Sequence, residues 1–246
     1  MCTVGDVSDR RARKKARTRC EILRAAQQLF AERGFDAVTI ADVAADADVA
    51  VQTVFNHFSS KEELFFADRT PWVDGPAEAV RRRPAGALPL DALRDYTLAT
   101  VDAFVRHIDS PQRRELVDVI LAAPALRAFE RELEHRTEQR LAAALAEAWA
   151  VQGPDGAGCD LDVRLAATLT AALWISAARA LSVELRSVYD EGADVGRIKV
   201  AVESLTDRTF TRLANSLGTL LQLPAQGPFE QPGAQPARRA GYRRAG

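Results

Sequence analysis

The sequence predicts an all-α protein: a small N-terminal three-helix unit followed by a larger helical domain. Three observations lead there. Apolar residues recur at i, i+3, i+4 and i+7 almost throughout, and no segment shows convincing strand alternation. Proline and glycine clusters punctuate the periodic segments. The 246 residues are 47% hydrophobic and 27% charged, the mixture of a globular chain able to bury its own core.

The elements follow in order. Residues 1–16 are expected to form a disordered basic arm, with RRARKKARTR at 10–19. Ile22, Leu23, Ala26, Leu29 and Phe30 then share one helical face, which ends at Arg33-Gly34. Gly34 suits the position after a helix because it takes φ > 0 without penalty. Thr39 can N-cap a short helix carrying Ile40, Val43, Ala44 and Ala47. A second short helix spans about 50–57. Ser59-Ser60-Lys61-Glu62-Glu63 supplies a cap and acidic first turn for another.

Pro71, Pro76, Pro84 and Pro89 interrupt residues 69–89, which read as a linker or irregular crossing. Longer helices are predicted from Asp91 to His107, from Pro111 to about Ala123, and from Pro124 to about Val151. GPDGAG at 153–158 is a loop. Leu161 to Val188 is a long apolar helix, and a last helix runs from about Val195 to Leu223. The stretch from Leu165 to Leu185 is broken by Arg179 and Glu184, so it is expected to be a buried helix of a soluble protein, with no membrane span. The Gly-, Pro- and Arg-rich tail 224–246 is expected to be disordered. The domains are thus 17–67 and 68–223.

Charge narrows the function. Lys+Arg 33 against Asp+Glu 34 gives a net charge of −1, which excludes a wholesale basic coat. The balance hides a local asymmetry: the stretch from Arg10 to Arg33 is strongly basic, and Gly34 to Arg69 is rich in acids. Cys2, Cys20 and Cys159 are scattered, which suits a reducing cytoplasm. With His57, His107 and His135 as the histidines, no metal-ligand spacing emerges. No G-x-S-x-G elbow, phosphate-binding glycine loop or H-E-x-x-H motif is present, so no catalytic residue, metal or cofactor is expected.

Two short helices joined by a tight turn, behind a helix with a basic arm, have the layout of a helix-turn-helix reader of double-stranded DNA. The detail is specific. Ile22-Leu23-x-Ala25-Ala26-x-x-Leu29-Phe30-x-x-x-Gly34-Phe35, then Val38-Thr39-x-x-x-Val43-Ala44-x-x-Ala47, then Thr53-Val54-Phe55-Asn56-His57-Phe58-x-x-Lys61-Glu62-x-Leu64 resemble, in order and spacing, the DNA-binding domain of the TetR (tetracycline-repressor) family. The resemblance implies a helical ligand-binding and dimerisation domain behind it, whose last two long helices form a four-helix interface in a homodimer. It implies a cytoplasmic repressor released from a palindromic operator by a small effector. The apolar residues of 90–223 suggest a mainly apolar effector, and the helix after Lys61 is expected to couple the domains. The chain departs from the family at three places: Asp48 where glycine is usual, Ala50 where serine is frequent, and Phe55 where tyrosine is frequent.

The candidate DNA contacts are Gln52, Thr53, Phe55, Asn56 and His57 on the second short helix, with Thr39 and Lys61 on phosphates by resemblance. Gln and Asn pair bidentately with adenine, and Thr meets a thymine methyl or a phosphate. The basic arm is expected to act as an electrostatic anchor. Phe104 and Trp149 are candidates for lining an effector pocket, and Trp174 for the dimer interface. Arg136 and Arg140 are read as surface ion-pair partners of Glu132 and Glu138. The rival readings are a helical adaptor that has lost DNA binding, and a helical enzyme.

Overall fold

The structure is a computed structural model that describes residues 4–68, 70–106, 110–150, 160–190 and 194–220. Among them every regular element is a helix: α1 (Val4–Arg33), α2 (Ile40–Asp46), α3 (Val51–Phe55), α4 (Lys61–Phe66), α5 (Gly75–Arg81), α6 (Pro89–Arg106), α7 (Pro111–Ala122), α8 (Pro124–Ala150), α9 (Asp160–Asp190) and α10 (Val195–Leu220). The loop at 153–158, the tail 224–246, Cys2, His107 and Cys159 lie outside the described residues.

The arm is not a separate disordered segment from Val4 onward; it is the first half of α1. The physical reason is local. Between Gly5 and Gly34 there is neither glycine nor proline, and Ala, Arg and Lys are strong helix formers. Arg17 and Glu21 add an i,i+4 ion pair at 2.8 Å. Only the second half of α1 is held by packing, through Ile22, Ala25, Ala26 and Leu29.

Two apolar cores organise the chain. The first joins α1–α4 around Ile22, Val43, Val54, Phe58 and Leu64. It does not stop at residue 67. Leu116, Val119 and Ile120 of α7 and Leu126, Phe129 and Leu133 of α8 pack into it. An aromatic chain carries the junction: Phe30–Phe35, Phe35–Phe65, Phe65–Phe66 and Phe66–Phe129 have ring centroids 5.4–5.6 Å apart. The helix after Lys61, expected to couple the domains, supplies Phe65 and Phe66 to this chain. α4 is only 6 residues long and ends at Phe66, whose ring stacks on Phe129 of α8.

The second core lies between α5, α6, α8, α9 and α10, around Val80, Leu90, Leu93, Leu141, Leu145, Trp149, Ala171 and Phe210. The expected linker contains one of its helices. α5 is 7 residues long, with Pro76 in its first turn and Ala77 and Val80 fully buried. Prolines on both sides conceal so short a helix, which tertiary burial stabilises. Gly75 is required by close approach: a Cβ there would fall 2.3 Å from the Tyr96 Oη.

Trp174, a candidate for the dimer interface, makes contacts within the protomer. Its indole Nε1 donates to Thr97 Oγ1 at 2.9 Å and its ring lies 6.2 Å from Tyr96, so it fastens α9 to α6 within the protomer. Arg136 pairs with Glu132 as expected, at 3.3 Å. Arg140 instead reaches Asp74 at the start of α5. α9 is not wholly buried. Over Leu161–Val183 it is long and apolar enough to cross a membrane by length and composition, with mean hydropathy 1.4. Yet Ala167 and Ala171 pack into the second core, while Leu161, Leu165, Leu169 and Leu173 form an exposed row.

Candidate nucleic-acid interface

The turn between α1 and α2 begins at Gly34, φ +81°. Thr39 then closes a full capping box: its Oγ1 accepts from the Asp42 N–H at 3.2 Å, and Asp42 Oδ2 accepts from the Thr39 N–H at 2.8 Å. The Thr39 hydroxyl donates to the same carboxylate oxygen at 2.6 Å. These bonds hold the Asp42 carboxyl below the usual carboxylate range. The hydroxyl that resemblance assigns to phosphate is thus engaged inside the protein.

α2 ends in a Schellman turn. The Val49 N–H bonds to the Ala44 carbonyl at 2.9 Å and the Asp48 N–H to the Ala45 carbonyl at 3.3 Å, with Asp48 at φ +51°. Aspartate tolerates this region better than most side chains, so the turn survives without glycine. Ala50 offers α3 no side-chain cap, as its side chain dictates.

A 5-residue helix cannot persist alone. Tertiary contacts hold α3 in place. Val54 and Phe58 are buried beneath it. Arg19 reaches across from α1, donates to the His57 carbonyl at 3.2 Å, and lays its guanidinium 4.1 Å from the Phe58 ring centroid. The C-terminal end of α3 is thereby tied to α1.

This anchoring turns Val51, Gln52, Phe55 and Asn56 to the outside, with Val51 42% and Phe55 46% exposed. Gln52 Nε2 lies 3.4 Å from Asn56 Oδ1, so the two amides share one face. Thr53 and His57 are half-buried on its flank. Burial, then Lys15 and Arg19, lower the His57 pKa. A neutral imidazole keeps one donor and one acceptor for a base or phosphate. Val51 was not among the residues the sequence singled out. Spacing gave no clear signal, because Val51 lies one turn before the exposed Phe55 and two turns before the buried Phe58.

Lys61, which resemblance assigns to phosphate, has its ammonium engaged within the chain. Its Nζ donates to the Phe35 carbonyl at 3.0 Å and the Val38 carbonyl at 3.1 Å, and sits 4.2 Å from the Phe35 ring centroid. It closes the α1–α2 loop onto α4. Ser60 caps α4, accepting from the Glu63 N–H at 3.1 Å. Far from this surface, Trp149 is enclosed in the second core and Phe104 is buried on α6. The geometry does not bring them together with the residues above.

The family profile agrees with this layout. The family profile described as bacterial regulatory proteins, tetR family, matches residues 22–67. The chain is 28% identical over 201 residues to the HTH-type transcriptional regulator TcmR of Streptomyces glaucescens, covering 80% of this chain and 84% of that protein. It is 31% identical over 110 residues to the HTH-type transcriptional repressor KstR2 of Mycobacterium tuberculosis, covering 40% and 50%. Among solved structures, NalD, the secondary repressor of the MexAB-OprM multidrug efflux pump in Pseudomonas aeruginosa, is similar at TM-score 0.46 and 21% identity, over 80% of this chain and 96% of that one. The ordered motifs of residues 22–67, the helix-turn-helix they build and the profile that matches them coincide: residues 22–67 form a DNA-binding domain of the kind found in the tetR family of bacterial regulatory proteins.

Proposed function

We propose that this chain acts as a homodimeric, cytoplasmic transcriptional repressor that occupies a palindromic operator and leaves it when a small, mainly apolar effector binds. The observation that carries the reading is the outward face of α3, where Gln52 and Asn56 stand between the exposed side chains of Val51 and Phe55. The amides suit adenine edges and the apolar pair suits thymine methyls. Thr53 and His57 flank that face. Thr39 and Lys61 serve as positioning residues that set the height of α2 and α4.

The second subunit is a further copy of this chain. The exposed row Leu161, Leu165, Leu169 and Leu173 on α9 supports that reading, because a monomer gains nothing by leaving it in water. A two-fold axis would set two α3 helices into successive major grooves. Effector binding would act by differential affinity for two dimer geometries, transmitted through the contact of Phe66 with Phe129. Phe104 and Trp149 are the proposed effector contacts. Both are buried, so the ligand must displace side-chain packing to reach them.

Fluorescence anisotropy of the full chain tests the reading, using DNA from upstream of its own gene against a scrambled duplex over a salt series. Sequence-selective binding with a steep negative salt slope is expected. Absence of binding even at low salt would overturn it and favour an adaptor of the same fold.

A further inference from the structure

We propose that one face of the N-terminal half of α1, where Arg11 and Lys15 continue the line that begins at the anchored Arg19, is a preformed clamp for DNA backbone flanking the half-site that α3 reads. The opposite face, with Arg13 and Arg17, takes no part. This rests on the DNA-binding reading above and goes beyond it. It assigns a second, sequence-independent contact surface and chooses one side of a helix that is basic on both sides.

The argument begins with register. Lys15 and Arg11 lie seven and eleven residues before Ile22, and Arg19 lies seven before Ala26. At 3.6 residues per turn those offsets keep one face. That face is apolar and buried from Ile22 onward. It becomes cationic just where the three-helix core ends. Arg13 and Arg17, nine and five residues before Ile22, lie on the far side. Arg17 is spent there on Glu21, at 2.8 Å.

The second observation is what the row faces. Arg19 bonds to the His57 carbonyl at the end of α3, and Lys15 and Arg19 both act on the His57 imidazole. The row therefore starts beside the recognition helix and continues away from it. Eleven residues of helix extend it about 16 Å beyond Ile22. Successive cations rise about 6 Å apart, while each DNA strand carries one phosphate per about 3.4 Å of axis. Because this half of α1 is already helical, its cations meet the backbone without first ordering a flexible arm, a cost disordered segments incur on binding.

The experiment compares two variants of equal charge change in the full chain: R11A/K15A and R13A/R17A. Alanine at these exposed helical positions preserves the helix, which circular dichroism checks. Each is titrated over a salt series onto the upstream duplex, and onto the same duplex shortened by about five base pairs at each end. R11A/K15A is expected to lower the salt slope by about four, about one per cation on two protomers, and to weaken binding ~10-fold or more at physiological salt. R13A/R17A is expected to change the slope by less than about one. Shortening the duplex is expected to weaken the wild type but not R11A/K15A. Equal losses in both variants would reduce the effect to bulk charge and overturn the proposal, as would a wild type indifferent to duplex length. A wild type that binds the duplex with neither variant altered overturns the clamp alone. A wild type that binds no DNA overturns both this proposal and the regulator reading.

Discussion

Replacing Lys61 with methionine separates the phosphate contact that family resemblance implies from the internal role seen in the structure. Methionine keeps an unbranched stem against the Phe35 ring and removes only the ammonium. Two charge-assisted hydrogen bonds are lost, at 3.0 and 3.1 Å, together with a cation 4.2 Å from an aromatic centroid. Each such bond nets about 1.5 kcal/mol at the lower end of its range, and the cation–π contact adds about 0.5 kcal/mol. Lys61 is half-buried, so water recovers part of the loss at the two carbonyls. The expected destabilisation is about 2 kcal/mol, which for a chain of this size lowers Tm by about 4–8 °C. Urea denaturation followed by circular dichroism reads the first quantity, and anisotropy over a salt series reads the second. The salt slope should hold to within about one unit. An unchanged urea midpoint with a slope lowered by about two, one phosphate per protomer, would refute the reasoning and return Lys61 to the DNA backbone.

Three further outcomes follow from the same geometry. Asp48→Gly should stabilise the chain by about 0.5–1 kcal/mol, since glycine holds φ +51° without a Cβ penalty, whereas Asp48→Val should destabilise it; thermal unfolding of both variants checks the sign. Leu169→Glu places a charge in the exposed α9 row and should convert the dimer to monomer in light scattering, with DNA affinity falling alongside; an unchanged mass would move the subunit interface elsewhere. The Asp42 carboxyl has a folded pKa below its unfolded value, so the Thr39–Asp42 cap contributes stability that is fully present above about pH 4 and is lost as pH falls through the lower folded value. Thr39→Ala should flatten that acid-side loss in a series of Tm values against pH; a parallel profile would remove the cap from the account.

The order of the helices was legible in the sequence because its signals are local. Apolar spacing marks the α1 face, Thr39 and Asp42 hold their own capping box three residues apart, Gly34 ends α1, and Pro111 and Pro124 open α7 and α8. The αL turn at Asp48 was also legible, since its position in an ordered motif demands it. α5 was not, because a 7-residue helix between prolines owes its stability to Val80 and Ala77 meeting α6 and α8. Nor was the helical state of the arm, where weak propensity sums over many residues and competes with like-charge repulsion.

What the sequence by itself determined is therefore the helical alphabet and the surface of α3, through Gln52, Phe55 and Asn56. Only the tertiary structure decided how those residues are used. It bound Lys61 to the Phe35 and Val38 carbonyls, bonded Trp174 to Thr97, and tied α4 to α8 through Phe66 and Phe129. It also gave Arg19, one cation among many, the task of fixing α3. The physical reason is common to all of these. A helix period depends on neighbours three or four residues away, whereas each of these partners lies more than twenty residues distant along the chain, where spacing carries no information about which side chains meet.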